Sequence, residues 1–89
     1  SIAVRLLLGD TLKQFHRFDE AREVFEYAVE HAPASEVCSL SLFHLLWRWG
    51  KEAEAVQEMK RFLRLSKCVD YEEIMKELRQ KCPDLMVDA

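Results

Sequence analysis

The chain has 89 residues, enough for one domain that buries roughly 60% or a little more of its unfolded surface. About half of the residues are apolar (49%), a third are charged (33%), and only two Gly and two Pro interrupt them, which is the profile of a folded helical protein and not of a disordered chain. A formal net charge of −3 leaves no general basic field of the kind that draws a protein to nucleic acid or to an anionic membrane.

Residues 1 to about 15 carry Ile2, Val4, Leu6, Leu7, Leu8, Leu12 and Phe15 at helical spacing, and these cover most of the circumference. A helix apolar nearly all round is expected to be buried on several sides, by residues upstream or by a second copy of the chain. Gly9 costs about 1 kcal/mol in a helix interior and marks a point where another helix comes close. Gln14 to Arg17 make a short connection.

The stretch from Phe18 to Pro33 predicts an amphipathic helix, with Ala21, Val24, Phe25, Ala28 and Val29 on one side and Arg22, Glu23, Glu26 and Glu30 on the other. Asp19 is the expected N-cap, and Pro33 ends the element. Ser35 then caps a helix running from about Glu36 to Trp49, so apolar that it should lie at the centre of the molecule, and Gly50 closes it. Lys51 to Ser66 give another amphipathic helix, with Ala55, Val56, Met59, Phe62 and Leu63 together. Asp70 with Glu73 reads as a capping box for a last helix with a narrow stripe of Tyr71, Ile74, Met75 and Leu78. Its outer face carries Glu72, Lys76, Arg79 and Gln80, the composition of a solvent-facing lid, and residues 83–89 are an expected flexible tail.

The acidic second helix and the basic fourth helix read as two solvated faces, or as segments that attract each other within the fold or between copies. Cys38, Cys68 and Cys82 are odd in number and lack Cys-x-x-Cys spacing, so free thiols in a reducing, cytoplasmic setting are expected. The run Ile2 to Leu8 is too short to span a bilayer and lacks the lead and cleavage site of a signal peptide. With no initiator Met, the chain reads as a piece of a larger protein.

A shift of 34 residues aligns Leu8 with Leu42, Leu12 with Leu46, His16 with Gly50, Ala21 with Ala55, Phe25 with Met59 and Ala28 with Phe62, which is an internal repeat. The first copy, with Leu8-Gly9-x-x-Leu12, Ala21-x-x-x-Phe25-x-x-Ala28 and Pro33, resembles the tetratricopeptide repeat. The second copy keeps the period with Leu42, Leu46 and Ala55, while Arg5 and Ser39 stand where that family prefers Trp. The resemblance implies an all-α, five-helix solenoid in a single domain, residues 1–82: hairpin 2–35, hairpin 36–69 and a capping helix over 70–82.

It also implies that the first helix of each hairpin lines a concave groove, through Ala3, Leu6, Asp10, Lys13 and Gln14, then Val37, Leu40, His44, Trp47 and Arg48. Family members that grip a C-terminal carboxylate do so with Lys and Asn, where Leu6, Asp10 and His44 stand here, so a less charged peptide or an amphipathic helix fits better. Trp47 beside Arg48 reads as an anchor pair, or Trp47 packs under the cap or the neighbouring hairpin. A protein-interaction adaptor is therefore the expected function. The alternatives are self-association through Ile2, Val4 and Leu7, and single-stranded RNA binding, which the acidic charge balance disfavours. His16, His31 and His44 have no ligand spacing, and no phosphate loop or nucleophile elbow occurs, so no enzyme activity, metal or cofactor is expected.

Overall fold

The computed structural model describes residues 1–87; the last two positions of the expected tail, 88 and 89, lie outside the described residues. It contains five α-helices, α1 (Ile2–Gln14), α2 (Phe18–His31), α3 (Glu36–Arg48), α4 (Glu52–Leu63) and α5 (Val69–Lys81), followed by a short 3₁₀ helix, Pro83–Met86. Among the described residues there is no strand. Helix α1 packs on α2 and α3 on α4, and the two pairs meet through α2 on α3 and α1 on α3.

The 34-residue period is written into the backbone. Ser1 and Ser35 cap α1 and α3, each hydroxyl accepting from the amide three residues on, at 3.3 Å in both cases. At the other ends the Arg17 amide donates to the Leu12 carbonyl (2.9 Å) and the His16 amide to Lys13 (3.0 Å); the Lys51 amide donates to Leu46 (2.8 Å) and the Gly50 amide to Trp47 (3.1 Å). Both sets are the paired bonds of a Schellman stop, which needs a left-handed residue just past the helix. His16 at φ 58° and Gly50 at φ 84° supply it. Two different sequences thus end the first helix of each pair with the same stop.

The core runs along α3, where Cys38, Ser39, Leu42, Phe43, Leu45 and Leu46 are all buried. Ala21, Phe25 and Ala28 of α2 and their counterparts Ala55, Met59 and Phe62 of α4 are fully buried. A Cβ built on Gly9 would lie 2.7 Å from Cζ and 2.8 Å from Cδ1 of Phe25, so the expected close approach is there, and the ring of Phe25 is what approaches. Helix α5 buries Tyr71 and Leu78 and half-buries Ile74 and Met75, while Glu72, Lys76, Arg79 and Gln80 face solvent as expected.

Several local expectations are corrected. Asp19 is not the N-cap of α2: Arg17 holds that position, without a side-chain cap bond, and Asp19 lies in the first turn. The Schellman stop starts the helix two residues earlier than a cap at Asp19 would allow. The Asp70–Glu73 capping box does not form, because α5 starts at Val69 with Cys68 at the cap and Asp70 inside the first turn. Helix α4 ends at Leu63, three residues before the expected Ser66. Residues 83–86 do not fray; Leu85 and Met86 pack half-buried against the core. In α1 Gly9 alone is buried, and Val4, Leu7 and Leu8 stand exposed, so this chain by itself leaves uncovered the face for which cover from outside was expected. No helix among the described residues is long and apolar enough to cross a membrane.

Candidate functional site

Spacing puts Leu6, Asp10, Lys13 and Gln14 on one side of α1, and Val37, Leu40, His44, Trp47 and Arg48 on one side of α3. Between them, His44 lies within electrostatic reach of α1. Burial holds its imidazole below the usual 6.5, the Lys13 ammonium pushes it further down, and the Asp70 carboxylate at the start of α5 pulls the other way. Three helices thus contribute charge to one spot. Around it Leu6, Leu40 and Trp47 are half-buried against the core, Lys13 is half-buried, and Ala3, Asp10, Gln14, Val37, His44 and Arg48 are exposed.

The position of Trp47 decides between its two expected roles. Its ring lies parallel to that of Phe43, at 6.0 Å and 15°, and Phe43 in turn meets Tyr71 of the last helix edge-on at 5.5 Å. Trp47 therefore takes part in the packing under the cap and is half-buried there. Arg48 beside it is fully available to a partner in the sense that its side chain is exposed. Of the residues expected for self-association, Val4 and Leu7 are exposed and Ile2 is half-buried.

On the opposite side, between α2 and α4, lies a cavity of about 520 Å³ bounded by Leu42, Leu46, Arg22, Glu54, Gln57 and Arg64, among others. Arg22 spans it, bonding Glu54 at 2.6 Å and Glu26 at 3.1 Å. The guanidinium beside it holds the Glu54 carboxyl below the usual carboxylate range. The acidic and basic helices are thus linked by their exceptions, the one arginine of α2 and a glutamate of α4. Glu23, Glu26 and Glu30 remain on a wet face, as their pattern predicted.

A buried polar network missed by the sequence pattern ties the last helix down. The Ser39 hydroxyl donates to Glu58 Oε2 at 2.7 Å and lies 2.6 Å from the Tyr71 hydroxyl. Arg61 clamps Glu58 through Nε at 2.9 Å and Nη2 at 2.7 Å and donates through Nη1 to the Pro33 carbonyl at 3.0 Å. One chain of bonds therefore joins α5, α3, α4 and the turn between the hairpins. Burial pushes the Tyr71 hydroxyl well above its ordinary value near 10. The available signals were a serine inside an apolar helix and the Glu58–Arg61 pair one turn apart; both were absorbed into the repeat and the basic-helix pattern.

Among the described residues no three His, Cys, Asp or Glu side chains gather as a metal-ligand set. Cys38, Cys68 and Cys82 are free, and burial raises the Cys68 thiol, which keeps it protonated and unreactive near neutrality. What the arrangement offers is surface: an α1–α3–α5 face with mixed apolar and charged groups, and a charged furrow between α2 and α4. The fold and this surface define a small all-helical domain of paired helices. No protein-family model, no curated protein and no solved structure matches the chain.

Proposed function

We propose that the chain is a protein-interaction module of tetratricopeptide type, an adaptor part that holds a peptide or amphipathic helix on the face shared by α1, α3 and α5. The observation that carries this is that His44 of α3 lies within electrostatic reach of Lys13 of α1 and Asp70 of α5, on the side of α3 that also exposes Val37 and Arg48. A patch with a cation, an anion, an imidazole and apolar edges suits a segment with one apolar side and few charges. The matched hairpin stops 34 residues apart support the stacked-repeat architecture that such a face needs.

The test is a displayed library of extended and helical peptides selected on the immobilised chain. Binders should be lost on a Val37→Asp, Arg48→Glu double variant, both positions being exposed, and kept on a Gln57→Glu, Arg64→Glu variant of the α2–α4 furrow. Binders that ignore the first variant and fail on the second would move the function to the other side of the molecule.

A further inference from the structure

The outer side of α1, across the helix from Leu6 and Lys13, is an uncharged stripe of Val4, Leu7, Leu8, Thr11 and Phe15. Leu8 is 50% exposed and Phe15 73%. Thirty-four residues on, their counterparts are covered: Leu42 is 6% exposed, Cys38 and Leu45 are buried, and Trp49 is half-buried. The difference is a helix. On the second hairpin α2 packs against α3, setting the Phe18 ring 5.8 Å from that of Trp49 and passing the Arg22 guanidinium over Trp49 at 6.0 Å to reach Glu54 at 2.6 Å.

The first hairpin repeats the receiving half of that joint. Phe15 stands where Trp49 stands, and Glu20 where Glu54 stands. Arg17 bonds Glu20 from the loop, at 2.7 and 2.9 Å, in the position from which Lys51 approaches Glu54 at 3.9 Å. The donating half, an aromatic residue and an arginine one turn later on a covering helix, has no counterpart among the described residues.

We infer that the outer stripe of α1 docks the second helix of a further helical hairpin, one that carries an aromatic residue with an arginine four positions later, as Phe18 and Arg22 do. The aromatic ring seats on Phe15 beside Leu8, and the arginine reaches Glu20. A second copy of this chain fits less well: its α2 is already used between α1 and α3, and its far end presents Glu72, Lys76 and Arg79 of α5. This docking surface is separate from the α1–α3–α5 face and does not depend on it.

The experiment joins an additional copy of residues 1–34 ahead of Ser1, so that an α2 helix precedes α1 at the native spacing. The docked product unfolds in one transition with a higher urea midpoint and an m-value about 40% larger, in proportion to the added residues, and amide exchange slows from Leu8 to Phe15. Arg22→Glu in the added hairpin lowers the midpoint, and Glu20→Arg in the original hairpin restores it. A separate transition for the added hairpin, or unchanged exchange in α1, would overturn the inference. So would a dimer of the parent chain, seen by light scattering, that Phe15→Asp abolishes, because the stripe would then belong to a second copy.

Discussion

The ring of Phe25 occupies the space that any side chain at Gly9 would need. Phe25 is fully buried and cannot step aside into solvent. Gly9→Ala would gain about 1 kcal/mol of helix propensity, yet overpacking of a closed core costs about 1–3 kcal/mol, and a clash this deep lies at the upper end. The variant should therefore be less stable by urea unfolding. Adding Phe25→Leu should return part of the loss, so that the double variant costs less than the two single changes together.

His16 and Gly50 hold the same left-handed position in the two hairpin stops, at φ 58° and 84°. A side chain there pays for the strain of roughly 1–2 kcal/mol that Gly avoids. His16→Gly should stabilise the chain by about 1 kcal/mol and Gly50→Ala should destabilise it by a similar amount. No heavy atom lies within 4 Å of a Cβ built on Gly50, so its effect would be purely conformational. Thermal unfolding of both variants reads this directly, and a stabilised Gly50→Ala would contradict the assignment of the stop.

Ser39 joins Glu58 and Tyr71 inside the core. Ser39→Ala leaves two buried groups short of a partner and should cost about 1–3 kcal/mol. Burial raises the Tyr71 hydroxyl above its unfolded value near 10, so above that pH the unfolded chain loses a proton that the folded chain keeps. Stability must then fall as pH climbs past 10. Tyr71→Phe should flatten that slope in urea midpoints taken between pH 9 and 11.

His44 titrates in the opposite sense. Its folded value lies below the ordinary 6.5, so as pH drops through 6.5 the unfolded chain takes up a proton first and the folded chain loses stability. Lys13→Met should raise the His44 midpoint followed by NMR, and Asp70→Asn should lower it further. No movement with either change would mean that α1 and α5 do not share the face of α3.

Much of this was legible because period carries geometry. The 34-residue match of His16 with Gly50 and Ala21 with Ala55 foresaw paired helices, though not that His16 would form the same stop as Gly50. Gly9 foresaw a close approach for the same reason, since Gly inside a helix is costly without one. Cap positions were less legible: Asp19 and Asp70 are good capping residues by type, but the Schellman bonds of the preceding turn start α2 at Phe18, and α5 starts one residue before Asp70. The α1 stripe was legible as a face in need of cover, but apolar periodicity reports what a helix could bury and not which neighbour covers it. Of the expected groove residues, Trp47 was left between two roles, because i,i+4 spacing puts it beside Phe43 but does not say that Tyr71 of α5 packs on the same Phe43 ring.

The most direct test of the binding face is a map of where a selected peptide touches the chain. Amide shift changes on titration with such a peptide should centre on Lys13, Val37, His44, Arg48 and Asp70. Changes centred on Arg22, Gln57 and Arg64, or on the outer stripe of α1, would contradict the assignment of that face.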